Sequence, residues 1–365
     1  MARTKYVDVA KGLSILAVVL WHIRFSFDLG ALFPLKTLLG GLWHVPVFFA
    51  ISGFFLKDEK LLCPRSFIMG KLKTLYLWTL CFYIPAVLLH NVFFDIGFYS
   101  SSVSYGGKEI SIYSSIDFVK QILAVFLFAG REPIVGALWF SYVLLLSLFA
   151  YSVITWICKR ICKNADIVGI RMFLCVFFAV VSCVLSNKMG LTLNRFSNTL
   201  VVTAIICFGQ YLFQKRNVQF DSVFVFAVSI VLSWQCAVLS GNVFLNNNSY
   251  HDFFHLFGGC FCMLYVVCFI SKKIESFYCG KVLAYIGKKS FYIMALHLVA
   301  FKLGAILLNV LGWSVNIDAE LPSAKDSVVL VAYYLVVGTA MPLLFAFLWE
   351  KIRNFWKGHF FPLFK

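Results

Sequence analysis

Charge is what this chain has least of. Only 13% of its 365 residues are Asp, Glu, Lys or Arg, against about 25% in a soluble domain. So few charges cannot cover a water-facing surface, and a soluble enzyme, a disordered chain and a coiled coil are excluded. A repeat of fixed period and a separate soluble domain are also lacking. Cysteine is present, 12 in all, but none falls in a segment read as outer: Cys63, Cys158, Cys162 and Cys279 lie in inner loops and the rest in apolar spans. That placement argues against a disulfide framework, and Cys158 with Cys162 reads as two reduced thiols because no second pair follows at zinc-ligand spacing.

What the chain does have is 61% hydrophobic residues, 41 of them Phe, arranged in stretches near the length of a bilayer crossing. The segments 7–27, 38–56, 72–94, 134–157, 167–185, 198–212, 220–239, 253–270, 290–311 and 328–349 are read as about ten transmembrane helices of an all-α, polytopic integral membrane protein. The net charge of +16 does not point to nucleic acid, because the basic residues lie in short clusters between the spans. With the N-terminus in the cytoplasm, 22 of the 32 Lys and Arg fall on the inner side, so both termini are expected there. The outer segment 95–133 is Ser-rich and then apolar; after Ser115 as N-cap it is expected to form an amphipathic helix lying on the outer surface.

An ionisable side chain inside a span is costly and suggests function. The first span carries Asp8, Lys11 and His22. Asp8 and Lys11, three residues apart, share a face and can pair. Lys11 and His22 are eleven apart, three turns and about 20°, so they lie on one wall with ~16 Å between them. Lys11 snorkelling to the headgroups and His22 bonding to a neighbouring helix would account for the same residues without chemistry. In the second span His44 precedes Pro46, and the small pair Ser52-Gly53 near the inner end permits close helix approach.

These strings carry a resemblance. The segment D-V-A-K-G-L-S-I-L-A-V-V-L-W-H at 8–22, followed by H-V-P-V-F-F-A-I-S-G-F-F-L at 44–56, resembles the membrane-bound acyltransferase 3 family, and within it the fucose 4-O-acetylase-like branch. Weaker matches follow in L-W-F at 138–140 and S-F-Y-I-M-A-L-H at 290–297. The resemblance implies an O-acyltransferase moving an acetyl group from cytosolic acetyl-CoA, the donor co-substrate, to a hydroxyl of a surface or extracytoplasmic polysaccharide or lipid-linked sugar. It implies a transmembrane domain over 1–356 with a cytoplasmic tail at 357–365, a multi-pass place in the cell inner membrane, no metal and no nucleic-acid partner. The family's basic-x10-His signature maps onto Lys11 and His22, with His22 as the essential base. Lys stands where Arg is commoner, offering a point charge in place of a planar fork.

The inner loop R-S-F-I-M-G-K-L-K at 65–73 resembles the family's basic segment, which makes Arg65, Lys71 and Lys73 candidates for the CoA phosphates, although topology alone accounts for every Lys there. His297 and His44 are candidates for the pore or packed histidines. Asp8, Ser52 and Trp139 complete the acceptor-side set, with Trp139 equally read as part of the aromatic belt. Arg24, Arg131 and Glu132 are read as solvated at the outer mouth. A transporter or flippase for lipid-linked sugars is the rival reading; it would call for inverted repeats with broken helices, and no such symmetry is visible.

Overall fold

The computed structural model describes residues 4–25, 34–162, 167–191, 195–325 and 327–360. The first helix, α1 (Lys5–Trp21), leads into a short strand, β1 (Arg24–Phe25). A π-helical turn at Thr37–Gly41 opens α2 (His44–Phe54), followed by the short α3 (Asp58–Leu61) and α4 (Pro64–Lys71). A second π turn, Leu72–Tyr76, runs into α5 (Leu77–Leu88), then α6 (His90–Asp95) and α7 (Ser115–Phe126). After a 3₁₀ segment at Pro133–Leu138 come α8 (Trp139–Ile161), α9 (Ile167–Met189), α10 (Arg195–Gln210), α11 (Val223–Ser240) and α12 (Phe253–Ile274). The amphipathic α13 (Tyr278–Lys288), α14 (Ser290–Val310), β2 (Ser323–Lys325) and α15 (Val328–Phe360) complete the chain.

Eight helical stretches among the described residues are long and apolar enough to cross a membrane: Thr37–Phe54, Pro133–Ile161, Ile167–Ser186, Arg195–Lys215, Val223–Ser240, Phe253–Ile274, Ser290–Val310 and Val328–Phe355. Each coincides with an expected span. The two expected spans outside this set differ for physical reasons. α1 has 17 residues and carries Lys5, Asp8 and Lys11, and the end of its expected span, 26–27, lies outside the described residues. The third is underwound by the π turn at Leu72–Tyr76 and broken at Leu89, where α5 gives way to α6. The expected tail begins within α15, and 361–365 lies outside the described residues.

α1 is the shared wall of the molecule. Val7, Ala10 and Ala17 belong to a core built with α2, α8, α9, α10 and α12. Ile15, Val18 and Val19 belong to a second core with α5, α14, α15 and the outer loops. Small residues bring the backbones together. A Cβ on Gly209 would lie 2.1 Å from the Ala50 carbonyl oxygen, and one on Gly53 2.4 Å from the Gln210 nitrogen, so α2 and α10 cross in backbone contact, as the Ser52-Gly53 pair suggested.

α7 departs from its expected place on the surface. Its N-terminus is fixed by a capping box between Ser114 and Asp117, and its entry is tied to the top of α5: Asn91 bonds both the Tyr113 nitrogen (2.8 Å) and the Tyr113 carbonyl (3.0 Å). Its far end meets the bottom of α5, where the Tyr76 hydroxyl donates to the Phe126 carbonyl at 2.9 Å. α7 therefore runs antiparallel along α5 for ~18 Å, and the chain turns back at Phe128, whose φ is 60°. The two helices form an antiparallel hairpin. Irregular backbone at membrane depth must find partners in the protein, and tyrosines supply them: Tyr142 donates to Val125 O (2.9 Å) and Tyr83 to Gly130 O (3.2 Å). The pattern in the sequence gave the apolar face of α7 correctly, with Ile116, Val119 and Leu123 exposed on it, but amphipathicity does not fix a tilt.

The hairpin's mouth is clamped by a buried cluster. His90 meets both Glu132 carboxylate oxygens at 3.0 Å through Nδ1 and the Ser111 carbonyl at 3.0 Å through Nε2. Tyr99 adds a 2.6 Å bond to Glu132. Glu132, expected at the solvated mouth, is 1% exposed, because His90, 42 residues away, and Tyr99 hydrogen-bond its carboxylate. At the inner end of α2, Asp58 receives Arg171 (2.8 Å), Lys215 (3.2 Å) and Gln210 (3.1 Å), fastening α2 to α9 and α10. Burial alone would raise the Asp58 pKa, but the Arg171 and Lys215 bonds and charges prevail and hold it below the usual carboxylate value.

Two outcomes follow from these placements. A Leu127→Cys thiol at the foot of α7 should resist a membrane-impermeant maleimide added outside, above the native-cysteine background, while Ser102→Cys in the exposed loop is labelled; equal labelling would return α7 to the surface. For Asp58, a lowered folded-state pKa means its contribution is complete above the unfolded value of about 3.9 and lost as pH falls through the folded one. Thermal stability in detergent should drop below pH ~4, and Asp58→Asn should cost about 2 kcal/mol at neutral pH by leaving Arg171 buried without its carboxylate, and should flatten the acid limb of the profile.

Candidate active site

Three histidines on three helices share one device. At the end of α1, His22 Nδ1 lies 2.8 Å from the Val18 carbonyl oxygen. On α14, His297 Nδ1 lies 2.9 Å from Ile293 O and 3.1 Å from Met294 O. At the start of α2, His44 Nδ1 lies 2.6 Å from Gly40 O. A carbonyl only accepts, so in each ring Nδ1 carries the proton and Nε2 is left as the acceptor. The backbone of each histidine's own chain, four residues back, thus sets the tautomer a general base needs.

The His22 and His297 rings face each other with centroids 4.9 Å apart. His297 is fully buried, and its Nε2 has no hydrogen-bond partner. His22 is half-buried, at the end of a helix that continues into the outer region through β1. His44 stacks on Trp21, centroids 5.6 Å apart, on the other side of the α1 terminus. The Lys36 ammonium sits 5.0 Å from the Trp21 ring and 5.2 Å from Phe25; burial first, then the Arg24 charge, lowers its pKa.

The outer end of α1 is held in register by polar bonds. Arg24 pairs with Glu320 at 2.7 Å, its nitrogen donates to Pro322 O at 2.8 Å, and β1 pairs with β2 in parallel. Lys302 on α14, one helical turn and a little beyond His297, donates to the carbonyls of Phe98, Ile317 and Ala319 at 2.7–2.8 Å. This ammonium, an intramembrane charge of unassigned purpose in the sequence, ties two outer loops to the helix that carries His297.

The inner part of the α1 wall is set by glycine. A Cβ on Gly12 would lie 2.1 Å from Leu283 O, and one on Gly287 1.9 Å from Asp8 O, so α13 lies against α1 in backbone contact. Lys11 is half-buried and Asp8 is buried in that wall. The basic loop occupies a separate inner region. Arg65 and Lys73 are exposed and Lys71 is half-buried; burial, reinforced by Lys60, holds the Lys71 ammonium below its usual pKa. Beside them a shallow hollow of about 490 Å³ is lined by Cys63, Arg65, Ser66, Met69 and Trp156 among others.

The structure therefore brings His22, His297 and the Trp21–His44 stack to the C-terminal end of α1. It leaves other expected residues elsewhere. Ser52 donates to Phe48 O in its own helix at 2.9 Å, and Trp139 lies under the Arg195 guanidinium at 6.0 Å. Sequence reasoning missed His90 with Glu132 and the triple role of Lys302, because their partners are remote in sequence. Lys302 at least carried a signal, as a charge inside a span. His251 and His255 meet one carboxylate, Asp252, at 2.7 and 2.5 Å. That carboxylate also caps α12; burial opposes its ionisation, but these bonds pull its pKa down to about 2.

The sequence matches the acyltransferase domain family over residues 4–349. The chain therefore belongs to the acyltransferase 3 family, and is an acyl-transferring membrane protein. No curated protein and no solved structure matches it. The close α1–α13 contact yields a test of the wall that carries Lys11 and His22. Gly12→Ala should lower the melting temperature and acyl transfer together, since its Cβ meets backbone, whereas Gly169→Ala, with nothing within 4 Å, should change neither. Equal behaviour of the two variants would contradict the contact.

Proposed function

We propose that this acyltransferase 3 family member moves an acetyl group from cytosolic acetyl-CoA to a hydroxyl of a surface or extracytoplasmic saccharide, within the fucose 4-O-acetylase-like branch. The observation that carries the reading is the tautomer of His22: a half-buried imidazole with Nδ1 tied to Val18 O leaves Nε2 as a proton acceptor. The proposal includes ten spans with both termini cytoplasmic, in the cell inner membrane, and a transmembrane domain over 1–356.

In the reaction the acceptor oxygen attacks the thioester carbon while His22 Nε2 takes the hydroxyl proton. The tetrahedral intermediate then expels CoA sulfur, which receives that proton from the His22 imidazolium, so acetyl ester and CoA thiol are the products. Lys11 lies ~16 Å inward on the same wall, a span of the order of a pantetheine arm, and acts on the donor as a cation. Arg65, Lys71 and Lys73 form the inner cationic region for the nucleotide phosphates.

The test is incubation of purified protein with labelled acetyl-CoA and a panel of glycans, read by mass spectrometry. His22→Ala should lower transfer about 10²–10⁴-fold with little change in folding, because one side chain at a helix end contributes little packing. Lys11→Arg should keep most activity and Lys11→Ala should raise the KM for acetyl-CoA; pairing Lys11→Ala with Asp8→Asn removes the buried carboxylate as a source of misfolding. Wild-type rates in His22→Ala would place the base elsewhere, and an unchanged acetyl-CoA dependence in the folded double variant would make Lys11 structural.

A further inference from the structure

A guanidinium without a carboxylate stands in the outer half of the bundle. Arg195 is the first residue of α10, and its Nε is buried with no hydrogen-bond partner. The groups whose charges act on it are Arg131, Tyr83 and Tyr142, none of them a carboxylate. Glu132, the acid next to Arg131 in sequence, is engaged by His90 and Tyr99. Two arginines thus share one region without a counter-charge among the described residues.

Such an arrangement costs free energy. Arg195 is half-buried; a cation partly removed from water is stabilised by an opposite charge or hydrogen bonds, and a second cation nearby adds repulsion. The N-terminus of the 16-residue α10 adds further positive potential. What holds Arg195 in place is Trp139, with the guanidinium 6.0 Å from the ring centroid. The neighbouring Phe140 stacks on Phe49 of α2 at 4.4 Å, one turn and a little more from His44. The region is therefore next to the histidine site through α2, and Arg131 is exposed, so a ligand can enter. It stands at the hairpin side of the molecule, away from the basic loop at 65–73, which puts it with the acceptor rather than the donor.

We propose that Arg195, with Arg131 and Trp139, is an anion subsite for the acceptor, and that the acceptor is an acidic saccharide bearing a carboxylate or a phosphate. The planar fork of Arg suits either oxyanion in a bidentate pair, and the Trp139 face packs against the C–H face of the sugar ring. The inference rests on the acyl-transfer reading for the word acceptor, but its geometry does not depend on transfer.

The test is a binding measurement with the purified full-length protein and no acyl donor. The probes are a uronic-acid oligosaccharide, a glycosyl diphosphate and a neutral oligosaccharide of matched length. Wild type should bind at least one anionic probe more tightly than the neutral one, and which of the two identifies the oxyanion. Arg195→Gln should weaken the favoured probe about ten- to a hundredfold, the loss of a charge-assisted pair, with the neutral probe unchanged. Arg195→Lys, which keeps the charge and loses the fork, should fall between. Anionic phospholipid vesicles should not displace the saccharide. Equal affinity for charged and neutral probes in wild type, equal loss of both in Arg195→Gln, or displacement by the vesicles would overturn the subsite. If selective binding persists and no glycan is ever acetylated, the acyl-transfer reading fails while the subsite stands; if transfer occurs without charge selectivity, the subsite alone fails.

Discussion

Every polar group carried into hydrocarbon must find its partner inside the protein, and most of this structure is an answer to that demand. The α5–α7 hairpin holds because Tyr76, Tyr83 and Tyr142 donate to its free carbonyls. Lys302 is held by three carbonyls, and Glu132 by His90 and Tyr99. Against that background the few exceptions carry meaning. Apart from hydroxyls, the buried side-chain atoms without a partner among the described residues are His297 Nε2 and the Nε atoms of Arg171 and Arg195. Arg171 has Asp58 through its other nitrogen. The remaining two lie at the histidine site and beside Trp139, the two places proposed to receive the acceptor.

α1 turns this accounting into a device. By sharing its faces between two cores, it is fixed from both sides, and the glycine contacts with α13 remove play along its inner half. A rigid wall suits the proposed transfer between a cytosolic donor and an outer acceptor, since a general base acts only within hydrogen-bond reach. The strand pair β1–β2 and the Arg24–Glu320 bridge extend that rigidity past the helix end, so His22 is set by both its helix and the outer loops.

How much of this was legible in the sequence depends on range. Eight of the apolar spans and the small residues of α2 are local patterns with a fixed period, and they appear where the spacing puts them. The first and third spans were overextended: the first helix ends at Trp21, and in the third a π turn and a break at Leu89 leave hydropathy almost unchanged. The tilt of α7 depends on Tyr76, Tyr83 and Asn91, residues of preceding segments, and the burial of Glu132 depends on His90, 42 positions away. Arg195 carries no signal of its own in the sequence, since nothing in its neighbourhood tells that its partner is an indole.

The account's central claim is that one helix wall joins a donor on the cytoplasmic side to an acceptor on the other. The most direct measurement uses sealed vesicles holding the full chain in known orientation, with labelled acetyl-CoA confined to the cytoplasmic face and the glycan to the opposite face. The account predicts labelled ester on the glycan with wild type and none above background with His22→Ala. Transfer only when donor and acceptor are placed on the same face would contradict it.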